Sequence, residues 1–127
     1  HRMHIAKTNN DEEFSIWGSG EPKREFLYVD ELSDCINFLL DKETNNDLYN
    51  VGSGQEVTIK ELSNHIKSVI NYEGSLIFDK DMPDGNPRKL LDSSLINNLG
   101  WESKINLSDG LSKTYKWYLD NLDKIRN

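Results

Sequence analysis

Two stretches of the chain place basic residues at the rims of turns. Lys23-Arg24-Glu25 follows the turn Gly18-Ser19-Gly20-Glu21-Pro22, and Arg88-Lys89 closes the loop "DKDMPDGNPR" at 79–88. An arginine offers phosphate a planar fork of donors, and a lysine offers a compact charge. Two such pairs on neighbouring loops could clamp a diphosphate. Each pair alone reads more simply as solvated rim charge. Trp17 stands beside the first loop. At a strand end it is either core or a face on which a nucleotide base stacks.

Other candidates carry less. Gly52-x-Gly54 follows an expected strand and precedes a helix, as a dinucleotide loop would, but position 57 is Val where a third glycine belongs. The loop is also longer than the usual tight turn, and no acidic residue ends a following strand about 20 residues on. It reads as a plain turn. Cys35 lies within an apolar helical stripe, so a buried structural thiol is expected rather than a nucleophile. His65 has no partner in sequence and reads as surface or core packing, and His4 is uninformative. The His, Cys and carboxylate spacings match no metal site, and no metal is expected.

Composition narrows the class. The chain has 127 residues, 35% apolar and 29% charged, which suits one water-soluble globular domain. The net charge of −7 argues against a dedicated nucleic-acid binder. No apolar run approaches the roughly 20 residues of a membrane span. One cysteine permits no intrachain disulfide, and a reducing cytoplasmic setting is the default. The opening His1-Arg2-Met3-His4 reads as a trimmed piece of a longer protein, with no signal peptide and His1 as a cloning scar.

The elements that must position these groups follow from periodicity. Residues 1–9 read as the tail of a helix, 14–17 as a strand, 18–22 as a turn and 25–29 as a second strand. Asp30 is the expected N-cap of a helix with Leu32, Cys35, Ile36, Leu39 and Leu40 on one stripe, ending at Asn45-Asn46-Asp47. Residues 48–51 read as a strand and 52–54 as a loop. Thr58 and Glu61 form a capping box ahead of Ile59, Leu62, Ile66, Val69 and Ile70 at helical spacing. Residues 76–78 read as a strand and 79–88 as a loop. Asp92 is the expected cap of a short helix that ends at Leu99, with Gly100 at C′. Ser108 starts the last helix, with Leu111, Tyr115, Tyr118, Leu119 and Leu122 inward. Alternating strands and helices make the class α/β. The strands are too few for a complete doubly wound sheet, so part of such a fold or a small α+β domain is expected.

With these residues in view, four segments occur together: "WGSGEPKREFLYVDEL", "LYNVGSGQEVTIKEL", "PDGNPRKLLD" and "LGWESKINLSDGLSKTYKWYLDN". In order and spacing they closely resemble the C-terminal part of the GDP-L-fucose synthases, a branch of the extended short-chain dehydrogenase/reductase superfamily of nucleotide-sugar epimerases and dehydratases. The resemblance covers essentially the whole chain. It implies an enzyme that epimerises GDP-4-keto-6-deoxy-D-mannose at C3 and C5 and then reduces C4 with NADPH. It also implies that the NADP loop and the catalytic residues lie in an N-terminal Rossmann part. No YxxxK occurs here, and Cys35 and His4 match no catalytic position. The chain by itself is therefore expected to be inactive and to bind no cofactor, and to lack catalytic residues.

By the same resemblance, Arg2, Trp17, Arg24, Asp84 and Lys89 match substrate-binding positions for a GDP-sugar: Arg2 near the diphosphate, Trp17 at the guanosine end, Arg24 on the GDP moiety, Asp84 and Lys89 on the substrate side. Residues 1–29 and 75–108 would form the substrate-binding part of this single fragment. Residues 30–74 would pack as helix-strand-helix on the Rossmann sheet, and 108–127 would be the terminal helix. Family members are commonly homodimers, through helices of the Rossmann part. Two alternatives share these motifs: the same portion of a UDP-sugar or other GDP-sugar enzyme, and a stand-alone nucleotide-sugar binding module.

Overall fold

The computed structural model describes residues 1–44 and 48–125. In chain order the elements are α1 (Arg2–Asn9), β1 (Glu13–Trp17), β2 (Lys23–Glu25), α2 (Val29–Leu40), β3 (Glu56–Thr58), α3 (Ile59–Ile70), β4 (Ser75–Asp79), β5 (Arg88–Lys89), α4 (Ser94–Asn98) and α5 (Leu107–Asp120). A 3-10 turn at Leu122–Lys124 follows. β1 and β4 pair in parallel, with Glu13 opposite Ser75 and Trp17 opposite Asp79. A second sheet has the order β3-β2-β5, antiparallel between β2 and β3 and parallel between β2 and β5.

Two small apolar clusters hold these pieces. Met3, Ala6, Ile70 and Tyr72 join α1 to the end of α3, with Phe14, Leu76 and Tyr115 packed around them. Cys35, Ile96 and Trp101 join α2 to α4, with Leu39, Tyr49 and Val51 against them. Cys35 is fully buried, and burial first, then the Asp34 charge, pushes its thiol pKa up. That is a structural thiol, as expected. His65 is exposed. His4 ties α1 to α5 through Nδ1 and the Tyr115 hydroxyl, 3.0 Å apart.

The expected capping box is formed in full. The Glu61 N–H donates to Thr58 Oγ1 at 3.0 Å, and the Glu61 carboxylate accepts the Thr58 N–H at 2.8 Å. Gly100 sits at C′ of α4 with φ 102°.

Other expectations need correction. The second strand is Lys23–Glu25, because ladder partners exist only there, and the chain leaves the sheet before 26–28. Helix α2 begins at Val29 after Tyr28, so Asp30 lies in its first turn rather than capping it. Residues 48–51 are not a strand. No ladder is assigned to them among the described residues; Tyr49 and Val51 pack on the second cluster, and Asn50 Nδ2 donates to Asp92 O at 3.2 Å. The helix end expected at 45–47 lies outside the described residues, and α2 itself closes at Leu40. Ser93, not Asp92, is the N-cap of α4, although Asp92 Oδ1 accepts the Ser94 N–H at 3.0 Å. The last helix starts at Leu107 with Asn106 as its cap. β3 and β5 were not expected as strands, being only three and two residues long.

The apolar stripe of α2 is only half used. Cys35 and Leu39 face the second cluster, while Val29, Leu32, Ile36 and Leu40 are exposed, Leu40 by 77%.

Candidate nucleotide-binding site

The turn after β1 bends through two left-handed glycines, Gly18 at φ 85° and Gly20 at φ 81°. Between them Ser19 is taken up by Asp84. The Ser19 N–H donates to Asp84 Oδ1 at 2.8 Å, and its hydroxyl donates to Oδ2 at 2.6 Å. These two bonds, hydroxyl first, hold the Asp84 carboxyl below the usual carboxylate range. The turn is therefore filled by a carboxylate of the 80–87 loop.

The second Gly-Ser-Gly loop is filled in the same way. Glu25 Oε1 accepts the Gly54 N–H at 2.6 Å, and a Cβ at Gly52 would fall in the space the carboxylate occupies. The first turn of α3 is also consumed. Ile59 N–H bonds to Pro22 O and Lys60 N–H to Gly20 O, each at 2.9 Å, and Glu61 N–H bonds to Thr58. A dinucleotide pyrophosphate needs free N–H groups at such a loop and helix start. The residues at these places do not fit one. Among the described residues no group of three His, Cys, Asp or Glu could hold a metal ion.

The register of the second sheet sorts the four cations. Lys23 lies opposite Arg88 and Thr58, Arg24 opposite Lys89 and Val57, and Glu25 opposite Glu56. Because side chains alternate across a strand, Lys23, Glu25, Glu56 and Arg88 share one face. Arg24, Val57 and Lys89 share the other. Glu56 pairs with Arg88 at 2.6 Å and with Lys23 at 3.4 Å, and these are the ion pairs among the described residues. The Arg88 hydrogen bond, ahead of the Lys23 contact, holds the Glu56 carboxyl low.

On the opposite face, Arg24 Nη1 is steered by two backbone carbonyls, Lys23 O at 2.6 Å and Asn86 O at 2.8 Å. Its charge has no carboxylate among the ion pairs described. Lys89 lies beside it and is exposed.

Of the five candidates, the structure brings together Arg24, Lys89 and Asp84, the last through the 80–87 loop that supplies Asn86 O. Trp17 is joined to them by the Gly18–Ser19 turn and is 67% exposed, which suits stacking better than core packing. Arg2 stands apart at the start of α1 and lays its side chain on β1, its Nη2 on Ser15 O at 3.2 Å and its guanidinium over the Phe14 ring at 5.2 Å. Sequence reasoning missed Ser19, Glu25 and Glu56. Only adjacency to Arg24 could have pointed to Glu25, and nothing local marks Glu56 as the counter-ion of residues more than thirty positions away.

Residues 2–52 match the NAD dependent epimerase/dehydratase family. GDP-L-fucose synthase 1 of Arabidopsis thaliana is 54% identical over 121 residues, which is 95% of this chain and 38% of that protein. GDP-L-fucose synthase of Escherichia coli (strain K12) is 40% identical over 134 residues, 98% of this chain and 42% of that one. The crystal structure of a GDP-L-fucose synthetase from Naegleria fowleri bound to NADP superposes with a TM-score of 0.92 at 22% identity, covering 100% of this chain and 40% of that chain. The fold is thus a mixed α/β arrangement shared with part of that structure. Over nearly all its length, the chain is related to the C-terminal part of GDP-L-fucose synthases. It spans about two fifths of the length of the relatives it matches.

Proposed function

We propose that this chain supplies the GDP-sugar-holding side of a nucleotide-sugar epimerase/reductase of the GDP-L-fucose synthase type. The carrying observation is the sorting of cations: Glu56 neutralises Lys23 and Arg88 on one sheet face, while Arg24 and Lys89 share the other. A diphosphate there meets one bidentate donor, steered by backbone carbonyls, and one point charge on the neighbouring strand. The exposed Trp17 offers its face to the base. Asp84 acts by holding the Trp17 turn against the 80–87 loop, and Arg2 is the candidate diphosphate cation on the α1 side of β1.

In the whole protein, the substrate of this reading is GDP-4-keto-6-deoxy-D-mannose, epimerised at C3 and C5 and reduced at C4 with NADPH. NADP and the reacting groups belong to an N-terminal Rossmann part, so this chain alone turns over nothing. What it contributes is orientation: binding energy at the diphosphate holds the ketose for hydride transfer. The exposed stripe of α2, within the 30–74 segment, is the surface that packs against that missing part. Residues 1–29 and 75–108 remain the substrate side. The setting is cytoplasmic, and the whole protein forms a homodimer through its other part. No helix among the described residues is long and apolar enough to cross a membrane.

An amide NMR titration of this chain with GDP, and then with UDP at equal concentration, tests the reading. Shifts for GDP alone, centred on Trp17, Arg24, Asp84 and Lys89, are expected. Equal shifts with both nucleotides would favour a generic diphosphate site and the wider epimerase class. Shifts centred elsewhere would refute the site.

A further inference from the structure

We propose that Glu25 is a positioning residue that holds Lys89 in register with Arg24 for diphosphate binding. This rests on the reading of those two cations as diphosphate ligands. β5 has only two residues, Arg88–Lys89, too few for a strand to hold its own place. Its entrance is pinned by the Lys23 N–H on Pro87 O at 2.9 Å. Its exit is pinned by a side chain. Glu25, the residue after Arg24, sends Oε2 to the Leu91 N–H at 3.0 Å, two residues beyond Lys89. The carboxylate thereby continues the β2–β5 pairing after the backbone ladder has ended.

Its other oxygen anchors it. Oε1 accepts the Gly54 N–H, and Gly52 leaves room for the carboxylate because it has no side chain. Three segments distant in sequence meet on one carboxylate: β2, the 52–54 loop and the stretch after β5. Glu25 lies on the sheet face opposite Arg24 and Lys89, so it acts on the ligand through the backbone of β5 rather than by contact.

Glutamine at this position keeps the size but offers one acceptor oxygen and one NH2 group, and it cannot accept both N–H groups in the same way. Alanine at Gly52 displaces the carboxylate sterically while leaving the residues at 25, 24 and 89 unsubstituted. The experiment is calorimetric titration with GDP of the full-length protein that carries this chain, with thermal melts alongside. E25Q and G52A are each expected to weaken GDP binding by about tenfold. In a K89M background, E25Q is expected to cost less than about twofold, because its effect runs through Lys89.

If E25Q binds GDP as wild type does, or loses as much affinity with Lys89 as without it, the proposal is overturned, whatever the melting temperature does. Should E25Q melt below the assay temperature, G52A carries the same two comparisons. If R24A and K89M themselves bind GDP as tightly as wild type, the diphosphate reading fails instead, and this inference with it.

Discussion

Asp84 spends both carboxylate oxygens on one residue, Ser19: Oδ1 on its N–H and Oδ2 on its hydroxyl. The two residues are 65 positions apart, and the bond pair fixes the 80–87 loop beside Trp17. D84N keeps the shape, removes the charge and leaves one acceptor oxygen, so it cannot accept both Ser19 donors as the carboxylate does. Amide hydrogen exchange is expected to accelerate at Ser19 and to stay unchanged at Glu61 in the α3 cap. Unchanged exchange at Ser19 would show that the loop is held by other means. Because the Asp84 carboxyl is held low, this tether is complete above the ordinary value of 3.8. It is released as pH falls through the lowered folded value.

Arg24 and Lys89 should differ in how they bind GDP. R24A removes a charge-assisted fork and is expected to weaken GDP by roughly 10- to 100-fold. K89A removes a point charge at an exposed position and costs less, with an effect that shrinks as salt is added. E56Q leaves Lys23 and Arg88 without their counter-ion but on the wrong face. GDP affinity should therefore stay within about twofold of wild type. Calorimetry at two salt concentrations reads all three.

Glu31 is a buried charge, joining α2 to the segment before α5. It is 7% exposed and accepts the Ser103 hydroxyl at 2.7 Å, the Ile105 N–H at 2.9 Å and the Lys104 N–H. Burial alone would raise its pKa, but the bonds from Lys104, Ser103 and Ile105 outweigh it and hold the carboxyl below 4.5. Its stabilisation is therefore complete above that value and is lost as pH falls through the lowered one. E31A is expected to destabilise by about 2–3 kcal/mol, since it strands two backbone donors. E31Q should flatten the acid limb of stability against pH. An unchanged acid limb in E31Q would place that pH dependence elsewhere.

Thr58 caps α3 through a reciprocal pair with Glu61. T58A should cost about 1 kcal/mol and lower Tm by roughly 4 °C. T58S should keep nearly all of it, since the hydroxyl is the working group. A thermal melt of both variants separates the cap from general packing at this position.

The exposed stripe Val29, Leu32, Ile36 and Leu40 makes the isolated chain sticky. Self-association should rise with concentration in sedimentation velocity and be suppressed by I36D. A wild-type chain that stays monomeric at high concentration would contradict this. The surface responsible is the helix stripe and not a strand edge at 48–51, because no strand forms there.

The parts of this protein legible in sequence are those set by neighbours a few residues apart. The Thr58–Glu61 box, the left-handed Gly100 after α4, the 14–17 strand and the amphipathic α3 all depend on contacts within one or two turns of chain. The same local reading failed at 48–51, which it took for a strand. A strand needs a ladder to a neighbouring strand, and none is assigned to 48–51 among the described residues. It also failed at β3 and β5, whose two or three residues leave no periodic signal. Resemblance supplied the candidate residues, but it did not show what holds them.

Taken alone, the sequence determined an α/β chain with four rim cations, two Gly-Ser-Gly turns and one buried thiol. Tertiary structure decided what those features are for. The turns bind the protein's own carboxylates, Asp84 and Glu25, and not a phosphate. Two cations are neutralised by Glu56 and two are not. Each of these outcomes depends on strand register between segments some 30 to 65 residues apart. A shift of one residue would exchange the faces and free the other pair. Local propensity carries no information about that register, which is settled only when the two sheets and their loops close on one another.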